Sequence, residues 1–255
     1  MQGTNFDKLL AIMADLREKC PWDKKQTIHT LRTLTLEETY ELTDSIITED
    51  WQGIKEELGD LLLHITFYST IAEEQKQFTI DDVLTGICEK LIRRHPHIYG
   101  DKNNVELTED QVLQNWEQLK LKEGKKSVLS GVPKSLPALV KSIRLQEKSK
   151  KVGFEWENKA DVWTKVEEEL TELKEAEAAN DQAHIEEEFG DLLFSLINYS
   201  RFLKIDAETA LEKTNIKFKT RFEAMETMAA EKQVNLGDLT LNELNDMWEK
   251  AKNNK

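Results

Sequence analysis

Cysteine, proline and glycine are all scarce in this chain, at two, four and ten residues among 255. The two cysteines, Cys20 and Cys88, lie far apart in no ligand-like spacing, which excludes a disulfide framework and a zinc ribbon and fits a reducing compartment. Positive charge is short as well: 35 Lys and Arg face 49 Asp and Glu, for a formal net charge of −14. No long basic stripe is present, so nucleic acid is not expected as a main partner. Long apolar runs are also missing, and Asp7, Lys8 and Asp15 interrupt the apolar stretch at the N-terminus, which argues against a membrane span or a secretory leader. Together these absences lead to the expectation of a soluble cytoplasmic protein with no membrane partner.

What remains is apolar side chains recurring at three and four residues, with no strand-like alternation, and this predicts an all-α fold. Leu58, Leu61, Leu62 and Ile65 form one such stripe, Phe189, Leu192, Leu193 and Leu196 another, and each is expected to face a helical core. Helix starts are expected at Thr27, Thr79, Asn158 and Asp206, and at Thr108 and Thr240, whose Gln111 and Glu243 three residues on make capping-box pairs. The one compositional break runs from Gly124 to Pro137. It predicts two domains, 1–123 and 138–255, joined by a linker over 124–137.

The two halves share a carboxylate pattern. Glu37-Glu38-x-x-Glu41 followed by Glu57-x-x-Asp60 returns as Glu168-Glu169-x-x-Glu172 followed by Glu188-x-x-Asp191, with fifteen residues between the blocks each time. Residues three or four apart on a helix project from one face, and fifteen residues allow the helix to end, turn and return antiparallel. Two such faces would enclose four carboxylates, whose repulsion is relieved by a hard cation with a preference for oxygen, Mg²⁺ or Mn²⁺. A single EExxE is more often solvated surface; a second copy at identical spacing reverses that balance. Di-iron bundles place Glu-x-x-His pairs on their helices, and neither copy has one. His64 follows Asp60 by one turn, but the matching position is Ser195, so His64 is read as a histidine on a partly buried helix face. His95-Pro96-His97 is read as a helix end leading into a loop.

Bases and aromatics repeat at nearly the same offset. Lys90-x-x-x-Arg94 corresponds to Lys217-x-x-x-Arg221, Trp116-x-x-x-Lys120 to Trp248-x-x-x-Lys252, and Trp22 to Trp156. Alone, such pairs read as helix surface and core aromatics; repeated with the acids, they describe one helical module used twice. Lys165 precedes Glu169 by one turn, placed to reach a phosphate, where the first copy has Leu34.

These acids, with Glu-Leu-Gly-Asp-Leu-Leu in the first copy, Arg93-Arg94-His95-Pro96-His97, Val152-Gly153-Phe154-Glu155-Trp156 and Lys217-Phe218-Lys219-Thr220-Arg221-Phe222, resemble the MazG family of nucleoside triphosphate pyrophosphohydrolases over essentially the whole chain. The resemblance implies two tandem helical bundles of the MazG and dimeric dUTPase type. It implies a Mg²⁺-dependent homodimer that converts nucleoside triphosphates to monophosphates and pyrophosphate, in nucleotide-pool housekeeping. Carried over, it makes Glu169, Glu172, Glu188 and Asp191 the metal ligands, with a second and weaker set at Glu38, Glu41, Glu57 and Asp60. Lys217 and Arg221 would hold the triphosphate and Trp248 and Lys252 complete the nucleotide pocket, with Lys90, Arg94, Trp116 and Lys120 as N-terminal equivalents. Glu168 or Glu172 would take the proton of the attacking water. The C-terminal copy is expected to be the principal catalyst. A sensor that binds Mg²⁺-nucleotide without turnover is the alternative.

Overall fold

The computed structural model describes residues 4–100, 108, 111, 112, 115 and 127–253. No strand occurs among them, in line with the expected all-α class. The chain divides into two units, Met1–Trp116 and Glu117–Lys255. Trp116 and Lys120 lie outside the described residues.

The first unit contains α1 (Asn5–Lys19), α2 (Ile28–Ile47), α3 (Trp51–Glu74), α4 (Ile80–Arg94) and the short α5 (Pro96–Tyr99). Met13, Leu31, Phe67 and Ile71 form its buried core, with Leu34, Leu63 and Tyr68 packed around them. Burying side chains of this size stabilises by about 1.5–3 kcal/mol each, so α1, α2 and α3 hold together through these few contacts. Arg17 of α1 fastens the C-terminus of α3, donating to both carboxylate oxygens of Glu74 at 2.9 and 2.7 Å. Thr27 and Thr79 each close a capping box. The His95-Pro96-His97 segment differs from its expected loop. The helix does stop at Arg94, but Pro96, whose fixed φ suits a first helical position, starts α5.

The second unit contains α6 (Ala138–Lys150), α7 (Lys159–Ala179), α8 (Gln182–Phe202), α9 (Ala207–Glu231) and α10 (Leu241–Asn253). Asn158, Asp206 and Thr240 cap α7, α9 and α10 as anticipated. Met225 and Ala229 of α9 bury against Met247 and Ala251 of α10. The turns over 127–137 are fastened to this unit, because the buried Lys148 donates from Nζ to the carbonyls of Val128, at 3.0 Å, and Ser130, at 3.4 Å.

The α2–α3 and α7–α8 hairpins are built alike. Glu49 and Asn180 take left-handed backbone (φ 56° and 53°) to reverse the chain, and Asp50 and Asp181 then accept two backbone N–H bonds apiece to start the returning helix. The apolar stripes depart from expectation. Leu58, Leu62 and Ile65 on α3, and Phe189, Leu193 and Leu196 on α8, are 40–53% exposed. Within one chain the core of each hairpin lies along other positions, such as Phe67 and Ile71 or Val162, Val166 and Ile197.

Candidate active site

Each hairpin brings three of its four patterned acids together. In the first unit one carboxylate oxygen from each of Glu38, Glu41 and Glu57 lies within 4.8 Å of the others; in the second, Glu169, Glu172 and Glu188 do the same. Asp60 and Asp191, the fourth acid of each pattern, are exposed and stand outside these triads. The donor sets contain oxygen alone, which suits a hard divalent cation such as Mg²⁺.

The clusters differ in depth and in how their charge is balanced. Glu169 and Glu188 are buried, while in the first unit Glu38 and Glu57 are half-buried and Glu41 is exposed. Lys165 Nζ sits 2.7 Å from both Glu168 and Glu169, and these bonds raise the lysine's pKa well above its usual range. Leu34 at the matching turn provides no such charge. There burial, and then the neighbouring charges of Asp60 and Glu41 together with Glu57, push Glu38 up to about 6. Partial burial, reinforced by the charges of Glu169 and Glu188, also raises Glu172.

Two features of the second site had weak sequence signals. His184, on α8 one turn before Glu188, places Nε2 2.8 Å from its carboxylate; the i, i+4 spacing is legible only after Glu188 is known to matter. The other is a cavity of about 650 Å³ between α6, α7, α8 and the Val152–Trp156 loop. Glu169, Asp191 and Lys165 line it together with Phe154, Trp156, Phe194, Gln146, Asn198 and Arg201. The loop motif was visible in the sequence, but which wall it forms was not.

Lys217, Arg221, Trp248 and Lys252 do not line that cavity. They gather on α9 and α10, where the Arg221 guanidinium lies over the Trp248 ring at 5.6 Å, Phe218 meets the same ring at 5.2 Å, and Lys252 pairs with Glu249. In the first unit Lys90 and Arg94 are half-buried near the end of α4. His64 is buried with Nδ1 lacking a partner, and burial lowers its pKa, consistent with the helix-face reading.

The MazG nucleotide pyrophosphohydrolase domain matches residues 26–99 and 159–225, the stretches that carry the two acid hairpins. The chain is 44% identical over 255 residues to the nucleoside triphosphate pyrophosphohydrolase/pyrophosphatase MazG of Thermotoga maritima, a match covering 98% of this chain and 96% of that protein. It is 41% identical over 256 residues to the nucleoside triphosphate pyrophosphohydrolase of Escherichia coli K12, covering 97% of each. The uncharacterized protein YabN of Bacillus subtilis is 44% identical over 253 residues, which are 51% of its length.

Proposed function

This chain belongs to the MazG family of nucleotide pyrophosphohydrolases, and from that premise we propose that its second unit is the principal catalyst, converting nucleoside triphosphates to monophosphates and pyrophosphate. The observation that carries the choice of unit is the triad of the buried Glu169 and Glu188 with the half-buried Glu172, and Lys165 beside it. These three acids, with Asp191 at the cavity wall, would hold Mg²⁺ or Mn²⁺. A cation held there would lower the pKa of water and offset phosphate charge.

The protein's own groups divide the remaining work. Glu168 is engaged by Lys165, so Glu172, through a carboxylate oxygen not taken by the cation, would be the proton acceptor for water attacking the α-phosphorus. The new bond joins water oxygen to that phosphorus, the bond to the bridging oxygen breaks, and pyrophosphate departs with the electron pair. Lys165, Lys217 and Arg221 would hold the triphosphate and stabilise the charge that accumulates on it, with Trp248 and Lys252 completing the pocket. The first unit's acids, half-buried or exposed and without a lysine, would form a weaker site.

We also assign a homodimer, supported by the uncovered stripe of Phe189, Leu193 and Leu196 on α8. A second copy seated there offers a way to bring Lys217, Arg221, Trp248 and Lys252 to the acid site, since they do not line its cavity in one chain.

Incubation with a nucleoside triphosphate and Mg²⁺ should yield monophosphate and pyrophosphate in equal amounts, and release of orthophosphate would contradict attack at the α-phosphorus. Glu172→Ala should lower turnover by at least about a hundredfold, whereas Glu41→Ala should leave most of it. Loss with Glu41→Ala alone would overturn the assignment of the second unit.

A further inference from the structure

The two buried acids of the second triad each meet a nitrogen donor from their own helix. Lys165, one turn before Glu169 on α7, places Nζ 2.7 Å from the Glu169 carboxylate, and His184, one turn before Glu188 on α8, places Nε2 2.8 Å from the Glu188 carboxylate. The side chains of Glu169 and Glu188 are only 6% and 11% exposed, and a buried carboxylate without a donor is an uncompensated charge beside two others. Lys165 has a part in the proposed reaction; His184 has none.

His184 is held at both ends. It is the third residue of α8, and its backbone N–H donates to Asp181 Oδ1 at 3.3 Å in the cap that starts the helix. Side chains four apart lie on one helix face, which brings the ring onto Glu188. A neutral imidazole with its proton on Nε2 can donate this bond. A carboxylate has two oxygens, and an N–H that occupies one of them fixes the orientation of the group and leaves the other for a cation.

The first copy lacks both donors. Leu34 stands at the turn of Lys165, and Gly53 at the turn of His184. The space beside Gly53 is already taken: a Cβ added there would lie 2.6 Å from Ser45 Oγ and 2.9 Å from Asp50 Oδ2. Asp50 is committed to capping α3, where its Oδ1 accepts from the backbone N–H groups of Gln52 and Gly53. In the second copy Ala176 stands where Ser45 does and has no hydroxyl to obstruct a side chain at 184. The two copies therefore differ in the turn that admits the donor as well as in the donor itself.

We propose that His184 is a positioning residue for the metal of the second unit, its Nε2–H holding one oxygen of Glu188 so that the other faces the cation, and that this tightens the triad's grip on Mg²⁺ or Mn²⁺. The inference rests on Glu169, Glu172 and Glu188 being the cation site. Mn²⁺ alone, without nucleotide, tests it: free Mn²⁺ is followed by its electron paramagnetic resonance signal, in the full chain carrying Glu41→Ala to silence the first triad. In that background His184→Ala should raise the Mn²⁺ dissociation constant about tenfold. His184→Gln, whose amide N–H has a similar reach, should stay within about threefold of the parent. The His184 side chain is 48% exposed, so both variants should keep the parent's circular dichroism spectrum. If both bind Mn²⁺ as the parent does, or if the glutamine variant is as weak as the alanine one, the positioning role is overturned. A raised KM for nucleoside triphosphate with an unchanged Mn²⁺ constant would overturn it too, because His184 would then meet the substrate instead of orienting Glu188. If adding Glu172→Ala to the parent leaves Mn²⁺ binding unaltered, the triad is not a cation site and the acid-site reading itself fails.

Discussion

Leu34 and Lys165 occupy matching turns of α2 and α7, yet only Lys165 delivers a positive charge to the acids beside it. Lys165→Met should destabilise the second unit by about 1 kcal/mol in a chelating buffer, because Glu169 then stays buried among acids without its counter-charge. Added Mg²⁺ should recover most of the loss, and thermal melts with and without the cation would measure it. The lysine's pKa is raised on folding, so its stabilisation is complete at neutral pH and fades only in strong alkali. Glu38 behaves oppositely. Its carboxyl titrates near 6, against 4.5 as the ordinary value, so the folded state holds that proton more tightly than the unfolded chain does. Its contribution is most favourable below the ordinary value and declines as pH rises through about 6. In chelator at pH 7, Glu38→Gln should therefore melt higher than wild type by roughly 2 °C, and the gap should close as the pH is lowered to 4.5. A wild-type advantage at pH 7 would show that Glu38 is not crowded by its acidic neighbours.

The helical hairpin is the element that converts sequence spacing into a site. Its turn is tight enough to need a left-handed residue, Asn180 in the second copy. Asn180→Ala should cost about 1 kcal/mol, while Asn180→Gly should be close to neutral; denaturant titration of the two variants separates backbone strain from loss of a side-chain bond. Much of this element was legible in advance. The spacing of Glu172 and Glu188 placed a reversal between them, and Asn158, Asp206 and Thr240 marked helix starts because short polar side chains satisfy the first free N–H groups. Other parts were not legible. The i, i+3 periodicity of Leu58, Leu62 and Ile65 says that a face is apolar, not whether this chain or another covers it. His184 has a meaning only through Glu188, and Gln146 only through the carbonyl of Phe194, a contact 48 positions away in sequence. Asp60 and Asp191 shared the acid pattern, yet the observed triads omit both, since period alone does not fix where a carboxylate comes to rest.

For the whole molecule, two tandem hairpins each leave an apolar stripe uncovered. If a second copy covers α8 and contributes Lys217 and Arg221, then Glu172→Ala and Arg221→Ala variants should each be inactive alone. Unfolded and refolded together, they should regain about one quarter of wild-type activity, since half of the random dimers would contain one intact site of two. No recovery, with mixed dimers verified by mass, would place the whole site within one chain. The difference between Leu34 and Lys165 also reaches beyond the site. A cation that binds folded acids stabilises the fold in proportion to the logarithm of its free concentration once binding is appreciable, and Leu34 does not supply the first unit's acids with the ammonium that Lys165 gives the second. In a cell depleted of divalent ions the first unit would therefore loosen before the second, giving one polypeptide two thresholds of mineral dependence.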